Sequence, residues 1–255
     1  MKALILAAGF GSRLMPLTQS VPKTMVEYQG KALIEYEITA LKEAGVREIA
    51  VVGGYKFEVL REFLKKKFQV DRLFENKNYD KTNMLATLFC ARKFLQECVD
   101  EGRDLIVSYA DIVYFEDTAR RLLEAKGELC IVVDRAWREL WEKRFENPLE
   151  DAESLKFKEG KIIELGKKPS SYADIEAQYI GLFKFSHTFL PEVLAFYDGL
   201  DRSALYDGKD FENMYMTSFL QALIDKFDNA LAVEINGGWC EIDFKKDLEI
   251  EFVTL

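Results

Sequence analysis

Short β-branched runs alternate with longer amphipathic stretches through the first half of the chain. Residues 2–6 are predicted to form a strand, residues 33–44 repeat apolar side chains at helical spacing, and residues 48–52 are predicted to form the next strand. This alternation is typical of βαβ units, which build a parallel sheet covered by helices. The same pattern predicts helices over residues 57–68, 82–97 and 117–125, and strands over residues 104–108 and 129–133.

The second half begins with a more polar segment, residues 147–171, whose prolines and glycines indicate a hairpin and loops. Beyond it we predict strands over residues 178–185, 231–235 and 239–242 and helices over residues 211–227 and 246–252. The fold class is therefore α/β, with a Rossmann-like, mostly parallel but mixed central sheet, flanking helices and a small hairpin subregion. Because no repeat, linker or low-complexity segment interrupts the sequence, residues 1–255 are expected to form a single domain.

Composition and charge narrow the classes of partner. The chain is 49% hydrophobic and 31% charged, as in globular proteins, and its net charge of −9 is opposite to what a nucleic-acid surface requires. The longest apolar run is far shorter than the roughly 20 residues that span a bilayer. We therefore expect no nucleic-acid partner, no membrane partner and a cytoplasmic location. The sequence is compatible with a homo-oligomer. His187 is the single histidine, so the sequence offers little support for histidine-based catalysis.

A glycine-rich segment, A-A-G-F-G-S-R at residues 7–13, follows the first strand directly. Small residues let backbone amides approach an anion closely, and Arg13 adds a forked cation. Leu14 stands where the dinucleotide-binding fingerprint has its third glycine, and no Gly-Lys-Ser/Thr follows, which disfavours a Rossmann cofactor site and a Walker P-loop. By itself, the segment is as compatible with a tight turn as with a phosphate site.

Ten residues after Arg13, Pro22 precedes Lys23, which alone would be interpreted as a surface lysine. Together the two segments form the signature L-A-A-G-x-G-x-R followed by P-K. On this signature the chain resembles the sugar-nucleotide pyrophosphorylase-like nucleotidyltransferases over essentially its whole length. The resemblance implies a nucleoside triphosphate over the loop, with Arg13 on the leaving pyrophosphate and Lys23 on the α-phosphate as the catalytic cations. It implies nucleotide contacts from Leu6, Ala7, Ala8, Gly9, Gly11, Ser12, Ala110 and Asp111.

Two acidic strand ends are candidates for a metal site. Asp111 follows the predicted strand over residues 104–108, where a helix or turn cap is the simpler interpretation of an aspartate. Near the C-terminus, W-C-E-I-D-F-K-K-D-L at residues 239–248 is similar to the closing motif of the family, and the resemblance implies that Asp243 joins Asp111 in holding Mg²⁺. Carboxylates, waters and phosphate oxygens suit that ion. We expect Glu241 to face outward from its strand rather than to serve as a third ligand.

The segment N-K-N-Y-D-K-T-N at residues 76–83 resembles the N-x-x-Y-x-x-x-N segment of the small phosphocholine-cytidylyltransferase-like branch of the family. Hexose-1-phosphate enzymes usually have a glutamine followed by P-x-G-x-A, which this chain lacks. The resemblance therefore implies CTP and an acceptor smaller than a hexose. Thr82 and Asn83 are candidate nucleotide-binding residues, although the same residue types also suit the cap of the following helix.

Three segments of the second half of the chain contain candidate residues for binding the acceptor. G-K-K-P at residues 166–169 resembles the Glu-Lys-Pro of sugar-phosphate enzymes, with the glutamate replaced and Lys168 kept as a cation for the acceptor. Tyr179 and Gly181 lie in a segment similar to the acceptor-binding strand of the family. An aminated acceptor such as phosphocholine or 2-aminoethylphosphonate would need aromatic faces and a carboxylate. The candidates are Tyr179, Glu212 and Tyr215, with Tyr114, Trp137, Trp141 and Asp210 as further members of the set.

The sequence thus predicts a Mg²⁺-dependent cytidylyltransferase that transfers CMP from CTP to the phosphate or phosphonate of a small organic acceptor and releases pyrophosphate. The attacking oxygen is anionic at neutral pH, so no general base is required. Two alternatives stay open: a sugar-1-phosphate nucleotidylyltransferase that uses UTP or dTTP, and a non-catalytic nucleotide-sensing domain.

Overall fold

The computed structural model describes residues 1–251 and has the predicted alternation of strands and helices. The strands are β1 (Lys2–Ala7), β2 (Glu27–Tyr28), β3 (Lys31–Ala32), β4 (Glu48–Gly53), β5 (Arg72–Glu75), β6 (Leu105–Tyr109), β7 (Ile112–Tyr114), β8 (Leu129–Asp134), β9 (Leu155–Lys158), β10 (Lys161–Leu165), β11 (Gln178–Phe185), β12 (Ala230–Ile235) and β13 (Trp239–Glu241). The helices are α1 (Leu33–Glu43), α2 (Phe57–Phe68), α3 (Met84–Cys90), α4 (Arg92–Asp100), α5 (Glu116–Glu124), α6 (Trp137–Arg144), α7 (Leu190–Asp198) and α8 (Met216–Phe227).

The central sheet is mixed, in the order β5-β4-β1-β6-β11-β8-β12-β10-β9. β11 runs antiparallel to both β6 and β8, and β10 runs antiparallel to β12 and β9, while the remaining neighbours are parallel. The predicted α/β, mostly parallel fold class is therefore confirmed. The predicted hairpin subregion is the pair β9 and β10, at one edge of the sheet.

Helices cover both faces of the sheet, which is why β1 is buried along its whole length. Successive residues of a strand point to opposite faces. Leu4 and Leu6 therefore pack into one apolar layer, with Phe94 of α4, while Ala3 and Ile5 pack into the other, with Ile38 of α1.

Local signals set the limits of α1. The Glu35 carboxylate accepts the backbone N–H of Ala32 at 3.1 Å, which satisfies one of the free donors at the start of the helix. Gly45, with φ of +102°, lets the chain turn away after the helix ends. The helical spacing of the apolar residues and the terminal glycine are what made this helix predictable.

Three predicted helices differ from the structure. The segment over residues 82–97 is two helices, α3 and α4, which are separated at Ala91, where φ is −94° and ψ is 21°. The helix predicted from residue 211 begins at Met216, after a 3-10 turn. The predicted closing helix is a 3-10 turn over Lys245–Glu249, and residue 252 lies outside the described residues. No helix within residues 1–251 is long and apolar enough to cross a membrane.

The topology brings the glycine-rich loop, the turn that carries Asp111 and the closing motif together beyond the carboxyl ends of β1 and β6. β1 and β6 are parallel neighbours, so the glycine-rich loop after Ala7 and the turn after Tyr109 leave the sheet side by side. β13 pairs antiparallel with β7, and the backbone N–H of Ile242 donates to the Asp111 carbonyl oxygen at 2.8 Å. The closing motif is thereby held against the turn that carries Asp111.

Candidate active site

Lys23 lies between the two aspartates that come from opposite halves of the sequence. Its Nζ is 2.7 Å from Asp111 Oδ2 and also donates to Asp243 Oδ1. The Arg13 guanidinium is 3.0 Å from Asp243 Oδ2. The structure therefore brings together the two predicted catalytic cations and the two predicted metal ligands.

The glycine-rich loop packs directly on the segment that carries Lys23. Gly11 has φ of +66°, and a Cβ atom at this position would lie 2.7 Å from the Lys23 Cβ. The Thr18 hydroxyl donates to the Gly11 carbonyl oxygen at 3.0 Å. A glycine is required at position 11 by both its conformation and the close approach of Lys23.

Electrostatic interactions within the centre favour the charged forms of Lys23 and Asp243. Burial alone would lower the pKa of Lys23, but attraction to Asp111, Asp243 and Glu241 outweighs burial and raises it. Burial opposes the ionisation of Asp243, yet Lys23 and Arg13 hold its pKa below the usual value. Lys23 and Asp243 are therefore both charged at neutral pH.

Glu241 is turned toward the centre, which contradicts the prediction that it faces outward. Its carboxylate accepts a hydrogen bond from Arg144 at 2.6 Å. Burial raises the pKa of Glu241 to about 7, with Arg144 opposing the shift and Asp243 and Asp111 reinforcing it. The prediction was wrong because the direction of a side chain on the short strand β13 depends on its pairing with β7, which the local sequence does not specify.

The three carboxylates fit a divalent cation. Asp111, Glu241 and Asp243 each offer an oxygen, and these oxygens all lie within 4.8 Å of one another. Asp111 Oδ1 is buried and has no hydrogen-bond partner among the described residues. Hard oxygen donors clustered in this way suit Mg²⁺.

The other residues predicted to bind the nucleotide lie around the same strand ends. A cleft of about 50 Å³ is lined by Leu6, Ala7, Gly9, Lys23, Ala110 and Asp111, together with Thr24 and Met84. The Ala8 carbonyl oxygen accepts the N–H of Tyr55 at 3.1 Å, and Ser12 begins a 3-10 turn.

Asn83 and Thr82 make contacts within the chain. The Asn83 side chain accepts the N–H of Met84 at 2.8 Å, so Asn83 is the N-cap of α3. The Thr82 hydroxyl donates to the Asn78 carbonyl oxygen at 2.9 Å and accepts from the Asn76 amide at 3.0 Å. Capping of the following helix is therefore confirmed for Asn83 and not for Thr82, and nucleotide binding by either residue stays a prediction.

A larger cavity, of about 250 Å³, adjoins the carboxylate cluster, since Glu241 belongs to both. Of the predicted acceptor residues, Tyr179, Gly181 and Tyr215 line this cavity, as does Trp141. Its acidic residues besides Glu241 are Asp151 and Glu153, which were not among the predicted site residues.

Several acceptor candidates lie elsewhere. Lys168 Nζ donates to the carbonyl oxygens of Leu149 and Glu150, at 2.6 and 2.7 Å. The Glu212 carbonyl oxygen accepts the N–H of Asn83, and Asp210 caps a 3-10 turn. Tyr114 is fully buried in the core, and Trp137 packs edge-on against Trp141. Within residues 1–251, the lining of the larger cavity includes none of these five side chains.

Helix α6 and its Arg144 were not predicted from the sequence, although Trp137 and Trp141 were among the acceptor candidates. It supplies Trp141 to the cavity and Arg144 to the carboxylate cluster. Trp137, Trp141 and Arg144 are buried at spacings of four and three residues. That periodicity is a helical signal, but it extends over only eight residues and ends in a charged group.

The profile of the Nucleotidyl transferase family matches residues 2–248. The chain belongs to this family of enzymes, as the signature over residues 6–23 predicted. Across 98% of its length it is 64% identical to CTP:phosphoglutamine cytidylyltransferase of Campylobacter jejuni, of which the match covers 99%. It is 46% identical to choline-phosphate cytidylyltransferase of Streptococcus pneumoniae over 32% of this chain and 36% of that protein.

Solved structures agree with this assignment. CTP:phosphocholine cytidylyltransferase from Streptococcus pneumoniae superimposes with a TM-score of 0.71 and 25% identity, covering 97% of this chain and 96% of that one. The inositol-1-phosphate CTP transferase from T. maritima has a TM-score of 0.75 at 20% identity, covering 96% and 90% of the two chains, and shows the shared fold.

Proposed function

We propose that this enzyme is a Mg²⁺-dependent cytidylyltransferase that transfers CMP from CTP to phosphoglutamine or a closely related small phosphorylated acceptor. The observation that carries the proposal is the placement of Lys23 between Asp111 and Asp243 beside the glycine-rich loop. The 64% identity to a phosphoglutamine enzyme over nearly the whole chain supports the choice of CTP and of acceptor.

The proposed reaction is an in-line displacement at phosphorus. An anionic oxygen of the acceptor phosphate forms a bond to the α-phosphorus of CTP, and the bond from that phosphorus to the bridging oxygen breaks. Pyrophosphate leaves with the electron pair. Such transfers depend on positioning and on cations that neutralise the equatorial and leaving oxygens.

The cations of this chain suit those roles. Lys23, which is held charged by two carboxylates, would contact the α-phosphate. Arg13, whose side chain is 53% exposed at the mouth of the site, would contact the leaving pyrophosphate. Backbone amides of Gly9, Gly11 and Ser12 would cradle the triphosphate, because the loop holds no side chain larger than serine at those positions.

Asp111 and Asp243 would hold Mg²⁺, with Glu241 as the third carboxylate of the cluster. When bound, the ion supplies positive charge to the phosphate oxygens. The two aspartates come from residues 1–133 and 134–255, respectively. We propose that these halves act as one domain, in which the first binds the nucleotide and the second binds the acceptor and completes the metal site.

The cavity beside Glu241 would hold the organic part of the acceptor. Tyr179, Tyr215 and Trp141 offer aromatic faces, and Asp151 and Glu153 add acidic groups. Lysine and arginine are missing from this lining within the described part of the chain. An aminated acceptor suits such a cavity better than a neutral sugar does, because ammonium groups are attracted by aromatic faces and carboxylates.

The test is a matrix of nucleotides and acceptors, with pyrophosphate release as the readout. CTP, UTP and dTTP are each combined with phosphoglutamine, phosphocholine, 2-aminoethylphosphonate and glucose 1-phosphate in the presence of Mg²⁺. We expect the highest kcat/KM for CTP with phosphoglutamine. Faster turnover with UTP or dTTP and glucose 1-phosphate would favour the sugar-nucleotide alternative and refute the proposal. The Lys23→Met and Asp111→Asn variants are the controls for activity from a contaminating enzyme.

A further inference from the structure

Arg144, in the last turn of α6, is completely buried behind the carboxylate cluster. One guanidinium nitrogen, Nη1, donates to Glu241 at 2.6 Å, and Nε lies 3.4 Å from Asp247 Oδ1. The guanidinium carbon is 5.4 Å from the centroid of the Trp141 ring. A buried cation therefore links two acidic residues of the closing motif from an element that lies about 100 positions earlier in the sequence.

The second acid, Asp247, controls the segment that carries Asp243. Its side chain is fully buried, and its Oδ2 accepts the backbone N–H groups of Asp243 and Phe244, both at 2.8 Å. These two hydrogen bonds fix the backbone at Asp243, and the backbone fixes where its carboxylate can reach. Arg144 thus contacts Glu241 directly and Asp243 through Asp247.

The charges explain why a cation is needed at this position. Asp111, Glu241 and Asp243 bring three carboxylates together, and like charges at this distance repel one another. Lys23 compensates them from the side of the glycine-rich loop, and Arg144 compensates Glu241 from behind. Without Arg144, Glu241 and Asp247 would lose the cation that contacts both of them, and an undercompensated buried charge is strongly unfavourable.

We infer that Arg144 is a positioning residue, which holds Glu241 and the Asp243 turn in the arrangement that binds the divalent cation. The inference rests on the proposed function, because it assumes that the carboxylate cluster is a metal site. Outer partners of metal ligands typically change metal affinity or activity about 10–100-fold when they are removed. Arginine is suited to the task because its fork reaches two acids at once, whereas the lysine ammonium is a point charge.

The experiment measures metal binding and not only activity. Mn²⁺ is titrated into wild type, Arg144→Met and Arg144→Lys, and the free ion is followed by electron paramagnetic resonance. The control is Arg138→Met, on the same helix, where the side chain is 56% exposed and pairs with Glu142. We expect Arg144→Met to bind Mn²⁺ at least about 10-fold more weakly, Arg144→Lys to be weakened less, and Arg138→Met to match wild type.

A double-mutant cycle tests whether Arg144 acts through Glu241. If it does, Arg144→Met combined with Glu241→Gln should weaken Mn²⁺ binding little more than the more severe single variant does. Steady-state kinetics should show the same dependence, as a raised KM for Mg²⁺ in Arg144→Met with a smaller change in the KM for CTP. If Arg144 only packed in the core, its replacement would lower the unfolding temperature without raising the KM for Mg²⁺ more than the KM for CTP.

The outcomes separate the inference from the proposed function. Wild-type Mn²⁺ affinity in folded Arg144→Met overturns the positioning role, as does a fully additive double-mutant cycle. If Arg144→Met does not fold, Arg144→Lys decides the question, because unchanged Mn²⁺ affinity in that variant contradicts the need for a fork. If wild type itself binds no Mn²⁺, the metal site of the proposed function fails, whatever the variants show.

Discussion

Replacing Gly11 with alanine tests whether the glycine-rich loop positions Lys23. Gly11 has φ of +66°, and an alanine Cβ would lie 2.7 Å from the Lys23 Cβ and 3.1 Å from the Thr18 Cγ2. The left-handed conformation costs alanine about 1–2 kcal/mol. The contact with Lys23 is shorter than two carbon atoms tolerate, so the loop or the lysine has to move.

The matched control is Gly160→Ala. Gly160 has φ of +81° in the turn between β9 and β10, at the far edge of the sheet, and no heavy atom lies within 4 Å of the added Cβ. It incurs the same conformational cost without the steric contact. We expect both variants to unfold at temperatures several degrees lower, since 1 kcal/mol shifts the midpoint of a chain of this size by roughly 2–4 °C.

Activity should distinguish the two variants. A displacement of about 1 Å in a reacting or binding group can lower the rate about 10²-fold, so we expect that loss in kcat/KM for Gly11→Ala and wild-type kinetics for Gly160→Ala. Pyrophosphate release with CTP and phosphoglutamine measures it, alongside thermal unfolding. Wild-type activity in a folded Gly11→Ala enzyme would refute the argument that the loop positions Lys23.

Four further results are expected. Lys23→Met, which keeps the side-chain length and removes the charge, should lower kcat by roughly 10²–10³-fold with an unchanged circular dichroism spectrum; near-wild-type turnover would exclude the proposed role. A chelator should stop pyrophosphate release and added Mg²⁺ should restore it, whereas persistent activity would argue against the metal site. Asp134 is buried and accepts 2.8 Å hydrogen bonds from Gly237 N and Trp239 Nε1; Asp134→Asn should reduce the free energy of unfolding in urea by about 1–3 kcal/mol, and no loss would mean that these bonds are dispensable. Burial and Asp151 raise the pKa of Glu153 from 4.5 to about 7, so its carboxylate destabilises the folded state increasingly from pH 4.5 to 7 and fully above pH 7. The Glu153→Gln variant should therefore unfold at a higher temperature than wild type at pH 8 and at the same temperature near pH 4. A difference in unfolding temperature that does not depend on pH would contradict that pKa.

Most of the architecture could be predicted from the sequence because it depends on local periodicity. The apolar runs that became β1, β4, β6 and β8 and the helical spacing of α1 are properties of short segments. Predictions failed where a local pattern could not show a break. Ala91 is an ordinary helix-forming residue, yet the chain leaves helical geometry there and begins α4.

The centre of the candidate site was also predictable, although its residues are far apart in the sequence. Arg13 and Lys23 belong to the opening signature, whereas Asp111 and Asp243 each follow a strand. The glycine-rich loop and Asp111 follow the parallel neighbours β1 and β6, so they leave the sheet at the same end. The association of Asp243 with them was implied by the resemblance of the closing motif, and in the structure it depends on the pairing of β13 with β7.

Only the tertiary structure decided which other side chains join this centre. Glu241 faces inward because of the pairing between β13 and β7, and Arg144 reaches it from a short helix with a weak periodic signal. Asp151 and Glu153 line the cavity, whereas Lys168 is bound to backbone carbonyl oxygens elsewhere. The amino-acid order determines which segments form and which strand ends carry polar groups. The direction of each remaining side chain depends on strand register and on contacts between distant segments, which exist only once the chain has folded.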